Sequence, residues 1–173
     1  MVTPSDIYVL AGLATQEPSE WTFRVIAERL AVPVSLVQRS LRRAAGTGLY
    51  EPASKRVHRA NFEDFLRHAV RFVAPAPLGG LVPGIPAAWA APPMSKLIQE
   101  AGDGLPPVWP FAEGRVRGRA LYPLHPSAVN AAPLDVRLAE LLAVIDSLRA
   151  GDVRVRSVAA DQIGQMLSGD SAS

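Results

Sequence analysis

The chain has 173 residues, which suits one domain or a domain with an extension, and its 49% hydrophobic and 20% charged content supports a packed core. Cysteine is absent, which excludes disulfides, thiolate metal sites and cysteine nucleophiles, and no run of about eighteen apolar residues offers a membrane span. The formal net charge is only +2, but its cations are almost all arginine, with lysine at Lys55 and Lys96 alone.

The N-terminus lacks the basic and apolar regions of a secretory signal, so a cytoplasmic protein with no membrane partner is expected. Pro4 to Thr15 reads as a first helix, with Ser5 placed to cap it and Ile7, Leu10, Leu13 and Ala14 turned inward. A loop from Gln16 to Glu20 leads into the most informative stretch, Trp21 to Tyr50, which reads as helix, tight turn, helix and entry to a strand. Thr22 has the hydroxyl of an N-cap, and Ile26, Ala27 and Leu30 share one face. Ala31-Val32-Pro33 makes the turn, because proline fixes its backbone and suits a first helical turn. The second helix spans about 34–45 with Val37, Leu41 and Ala44 inward and Ser35, Gln38, Arg39 and Arg42 outward.

Residues 49–60 read as a small hairpin: a strand at Leu49-Tyr50-Glu51, a turn at Pro52-Ala53-Ser54, and a return strand from Arg56 to Arg59. Lys55, Arg56 and Arg59 gather positive charge at or near its tip. Asn61 to Val73 reads as one helix capped by Asn61, with Phe62, Phe65, Leu66, Ala69, Val70 and Val73 as an apolar stripe that covers the core or extends into a dimer contact. From 75 to 133 prolines recur too often for a regular helix, yet the segment is too apolar for a typical linker, so an ordered but irregular stretch is expected. Within it, a short helix from Met94 to Ala101 and an exposed basic strand at Arg115–Tyr122 stand out. A helical hairpin closes the chain over 134–167: Leu134, Leu138, Leu141, Leu142, Ile145 and Leu148 form one stripe, Gly151 stops it, and Asp152 caps a helix with Val158, Ile163, Met166 and Leu167 inward. Residues 168–173 read as a loose tail. The expected fold is mainly α with a small β wing.

An Arg- and Gln-bearing helix face has the shape and chemistry that a major groove accepts, since Arg forks onto guanine and Gln onto adenine. The plainer alternative is a helical hairpin with a solvated basic face. The stretches IAERLAV (Ile26 to Val32), PVSLVQRSLRRA (Pro33 to Ala44) and GLY (Gly48 to Tyr50) resemble the winged helix-turn-helix regulators of bacteria, of the broad MarR-like kind. Pro33 departs from the serine cap common in that family, and Ala44 from the usual leucine. The resemblance covers about the first 75 residues and implies a homodimer on double-stranded DNA. The candidate contacts are Thr22, Val34, Ser35, Gln38, Arg39, Arg42 and Arg43 on the helix pair and Lys55, Arg56 and Arg59 on the wing. LGGLVPGIPAAWAAPP (Leu78 to Pro93), PPVWP (Pro106 to Pro110), GRVRGRALYPL (Gly114 to Leu124) and the closing hairpin resemble the extension of small antitoxin-type winged-helix proteins, which implies a toxin or other protein partner.

Nothing in the sequence asks for an enzyme. His58, His68 and His125 lack metal-ligand spacing and read as surface residues, and neither a phosphate loop nor a nucleophile elbow is present. No cofactor is expected. Two functions follow: a sequence-specific DNA-binding transcriptional regulator, or an antitoxin or adaptor that binds a protein through its C-terminal half. For Trp89, Trp109 and Phe111, interface anchoring and internal packing are the alternatives, with packing favoured.

Overall fold

Three helices open the chain: α1 (Pro4–Ala14), α2 (Phe23–Leu30) and α3 (Val34–Gly46). They belong to a computed structural model that describes residues 1–17, 20–99, 101 and 103–168. Thr3, not Ser5, caps α1, because Pro4 occupies the first helical position. The Thr3 hydroxyl accepts the Asp6 N–H at 3.3 Å and the Asp6 carboxylate accepts the Thr3 N–H at 2.9 Å, a reciprocal capping box. Every residue from Asp6 to Ala14 is buried, so α1 is a central helix rather than a one-sided one.

Thr22 caps α2 as its chemistry suggests, its hydroxyl accepting the Val25 N–H at 3.2 Å. Ala31, in the left-handed region at φ 56°, ends that helix. Pro33 then opens α3 without a side-chain cap. Val37, Leu41 and Ala44 are buried against α1 and α2, together with Ser40. The Tyr8 hydroxyl donates to the Leu30 carbonyl at 2.8 Å and fixes the end of α2 on α1.

Strands β1 (Tyr50–Glu51) and β2 (Arg56–Val57) pair antiparallel. The hairpin is shorter than expected because His58 caps α4 (Arg59–His68), its Nδ1 accepting the Asn61 N–H at 3.2 Å. Asn61 is therefore not the cap; its side chain donates to the Gly48 carbonyl at 2.9 Å and holds the exit from α3. The single helix expected through Val73 breaks at Ala69, and α5 (Val70–Val73) is one separate turn. Phe62, Leu66 and Val70 are buried, whereas Phe72 stands exposed beneath the Arg71 guanidinium, 4.3 Å from its ring centre.

The proline-rich segment contains three strands that close on one another: β3 (Leu81–Pro86), β4 (Pro107–Pro110) and β5 (Val116–Ala120). Residues 81–84 of β3 pair with β5, and residues 84–86 turn to pair with β4; β4 and β5 run parallel. So tight a closure needs glycine. A Cβ on Gly84 would overlap the Trp109 carbonyl oxygen, and one on Gly118 would overlap that of Pro106. The helix expected from Met94 is a single 3-10 turn at Met94–Lys96, and Glu100 of that expectation lies outside the described residues. Trp89 and Trp109 are buried, so packing is their role, while Phe111 is partly exposed.

Helix α6 (Ala128–Ala131) precedes the closing hairpin of α7 (Val136–Ala150) and α8 (Val153–Ser168). Asp135 caps α7 through the Leu138 N–H at 3.1 Å and Asp152 caps α8 through the Val155 N–H at 2.9 Å. Leu134, expected on the stripe, falls before the cap and is 89% exposed. Gly151 ends α7 by close packing rather than by a left-handed turn: its φ is −73° and a Cβ would strike Val155 and the Ser147 carbonyl. Residues 138 and 141–148 of α7 are buried on all sides, between α8, α1, α4, α5 and the 3-10 turn at Ala88–Ala90. One continuous core thus joins Ile7 to Leu167. Of the expected tail, only Ser168 lies within the described residues, where it ends α8. No helix among the described residues is long and apolar enough to cross a membrane.

The Asp6 carboxylate is fully buried and accepts from the Arg43 guanidinium at 2.7 Å. Burial pushes this carboxyl up, but the hydrogen bonds from Arg43 and the Thr3 N–H outweigh it and hold the group below the ordinary 3.8. A depressed folded value stabilises the protein above the unfolded value, and that contribution is lost as pH falls through the folded one. Asp6→Asn is therefore expected to cost stability at pH 7 and much less near pH 3, seen as a gap in denaturation midpoint from the parent protein that narrows in acid. A gap of equal size at both pH values would show that the charge of Asp6 contributes nothing.

Candidate functional site

The sequence-expected set separates once the side chains are placed. Ser35, Gln38, Arg39 and Arg42 lie exposed on the outer face of α3, and none of the four side chains has a hydrogen bond or ion pair among the described residues. Their inward neighbours Val37, Ser40, Leu41 and Ala44 fix the rotation of the helix, so the outer face is set by core packing. Val34 joins this row at the first position of α3 and is 38% exposed. On the hairpin, Arg56 is exposed and likewise without a partner among the described residues.

The remaining expected residues are committed to the fold. Thr22 caps α2. Arg43 forks onto Asp6 and faces α1, away from the row. Arg59 is not on the hairpin; it starts α4 and donates to the Ala14 carbonyl at 2.9 Å and the Leu167 carbonyl at 3.4 Å. Lys55, at φ 57° in the hairpin turn, donates to the Trp21 carbonyl at 2.9 Å and lies 4.5 Å from the indole centre. In return the Trp21 indole donates to the Lys55 carbonyl at 3.2 Å. This reciprocal clasp ties the hairpin tip to the approach of α2. A solvent-open cleft of about 1040 Å³ lies beside it, with Glu17, Glu20, Glu51 and Arg56 among its lining residues.

No protein-family model, curated protein or solved structure matches the chain. The site is therefore weighed on its own chemistry. Arg24, on the exposed side of α2, adds a further cation whose side chain has no partner among the described residues. Sequence reasoning passes over it, although the buried positions Ile26, Ala27 and Leu30 imply that residue 24 points outward.

Among the described residues no group of three or more His, Asp or Glu is placed to hold a metal ion. His58 caps a helix and His68 lies 3.6 Å from Asp64 one turn away. His125 differs from expectation: it is half-buried, stacked on Tyr8 at 5.4 Å, and burial pushes it below its ordinary value.

Proposed function

We propose that the protein is a sequence-specific DNA-binding transcriptional regulator in which α1–α3 and the β1–β2 hairpin act as a winged helix-turn-helix. The observation that carries this reading is the division among the arginines. Arg29, Arg43, Arg59 and Arg149 hold the fold together, whereas Arg39 and Arg42 are left on one polar helix face beside Ser35 and Gln38. A helix that presents forked donors and an amide to solvent has what base edges in a major groove require. Arg56, on the neighbouring hairpin, supplies a phosphate contact, and Arg24 a second. We propose binding as a homodimer, since two half-sites double the contacts that a single short helix can make.

Arg39→Ala is expected to cost about 1–3 kcal/mol on the preferred sequence and to relax base preference at one position. Arg56→Ala is expected to weaken all sequences alike and to flatten the salt slope by about one unit. Fluorescence anisotropy with the chain's own upstream DNA and a scrambled duplex, at two salt concentrations, measures both effects. If neither substitution changes binding to either duplex, α3 is not the reading element.

A second reading, a protein partner engaged through the C-terminal half, draws on different residues from those the sequence suggests. Trp89 and Trp109 are used inside the core, but Tyr122, Leu134 and Val136 stand largely exposed. An antitoxin or adaptor would use such positions, and it could still repress its own promoter through α3.

A further inference from the structure

Val34 is an aliphatic side chain on an otherwise polar face. Its chain neighbours Val32 and Val37 are buried, yet Val34 is 38% exposed and is not among the side chains packed on the core. It sits at the first position of α3, on the same side as Gln38 one turn later, with Ser35 and Arg39 alongside. Resting on the DNA-reading role of α3 proposed above, we infer that Val34 reads the 5-methyl group of a thymine, so that the recognised half-site carries a T close to the A taken by Gln38.

The chemistry follows from what the major groove displays. Thymine alone among the four bases offers an apolar group there, and small apolar side chains recognise it by contact. A valine at the leading end of the helix, 38% exposed, offers methyl surface for that purpose and its side chain forms no competing hydrogen bond. The spacing also constrains the site. Val34 and Gln38 are four residues apart, about 6 Å along the helix axis. Successive base pairs are about 3.4 Å apart, so the two side chains reach base pairs within roughly two steps of each other. Adenine presents N6 and N7 to a glutamine amide in a fork. The combination selects a short A/T element flanked by the guanine positions that Arg39 and Arg42 can take. The same contact separates DNA from RNA, because uracil lacks the methyl group and the A-form groove does not admit the helix.

The test begins by enriching duplexes from a random library with the full chain. Each thymine of the enriched sequence is then replaced singly by deoxyuridine, which removes only the methyl group. Burying one methyl is worth about a fourfold change in affinity. The expected result is one thymine per half-site whose replacement weakens the parent protein about fourfold and leaves Val34→Ala unaffected, within two base pairs of an adenine whose substitution no longer matters in Gln38→Ala. Val34 lies outside the core, so thermal melting of Val34→Ala is expected to match the parent. If a sequence is enriched but every deoxyuridine substitution is neutral, or affects both proteins equally, the thymine contact is wrong while the DNA-reading role stands. If no sequence is enriched, both fall.

Discussion

Replacing Arg149 with alanine is expected to destabilise the protein by about 3–5 kcal/mol, the largest effect of any single charge. Arg149 is 5% exposed in its side chain and donates to Asp146 at 2.6 Å, where Asp146 is itself 1% exposed. The other Asp146 oxygen accepts the Trp109 indole N–H at 2.8 Å. The same guanidinium donates to the Ala74 carbonyl at 2.8 Å and the Tyr122 carbonyl at 3.3 Å. One side chain thus joins α7 to the chain leaving α5, the chain leaving β5, and, through Asp146, to β4. Its removal strands a buried carboxylate and releases the Ala74 and Tyr122 segments from α7.

Burial pushes the Asp146 carboxyl up, against the pull of Arg149 and Trp109. Without Arg149 that upward push goes unopposed by a cation, so the folded variant takes up a proton readily. A raised folded value favours the folded state as pH falls, so the loss in Arg149→Ala is expected to shrink in acid. Urea denaturation at pH 7 and pH 4 measures both parts. The double replacement Asp146→Leu with Arg149→Met is expected to cost less than Arg149→Ala alone, because an apolar pair leaves no stranded charge. A double variant as unstable as the single one would show that the carbonyl contacts of Arg149, and not its charge pair, dominate.

Arg43→Ala comes second, at about 3 kcal/mol. It leaves Asp6 fully buried with the Thr3 N–H as its remaining strong donor, and the Ser40 hydroxyl nearby lies outside hydrogen-bond geometry. The figure sits at the low end for a broken buried pair because the Arg43 side chain is 37% exposed and water reaches its side of the contact. Thermal or chemical denaturation reads this loss directly. The prediction also separates two roles for one residue. As a DNA contact, Arg43 would lower affinity on removal and leave stability unchanged; as the partner of Asp6, it lowers stability first. Arg42, its exposed neighbour, is expected to show the reverse, with melting unchanged and DNA affinity reduced.

Local pattern was sufficient for the helix pair. The spacing of Ile26, Ala27 and Leu30, then of Val37, Leu41 and Ala44, identifies the buried sides of α2 and α3 and leaves Ser35, Gln38, Arg39 and Arg42 outside. Thr22, Asp152 and Gly48 act at helix ends as their chemistry implies, since a cap is a contact between residues three or four apart. The closing hairpin was legible for the same reason, apart from Leu134, which precedes the Asp135 cap.

What the chain could not announce is where long-range partners stand. Arg43 and Arg42 are adjacent and chemically identical, but only Arg43 meets Asp6, thirty-seven positions earlier, and so leaves the candidate surface. Arg59 looks like a wing residue until His58 is seen to cap α4, and then its partners are Ala14 and Leu167. The three-strand closure of β3, β4 and β5 hides behind prolines because its fit depends on Gly84 lying under the Trp109 carbonyl of β4 and Gly118 under the Pro106 carbonyl just before it, a proximity that leaves no periodic trace. The amino-acid pattern alone was enough for α2, α3 and the closing hairpin, for the Thr22 and Asp152 caps and for the outward row on α3, because those depend on neighbours within about one helical turn; the caps of α1 and α4 and the break at Ala69 were not read from it. Which arginines remain free for a ligand was decided by tertiary structure alone, since each depends on whether a buried carboxylate or carbonyl from a distant segment comes within reach.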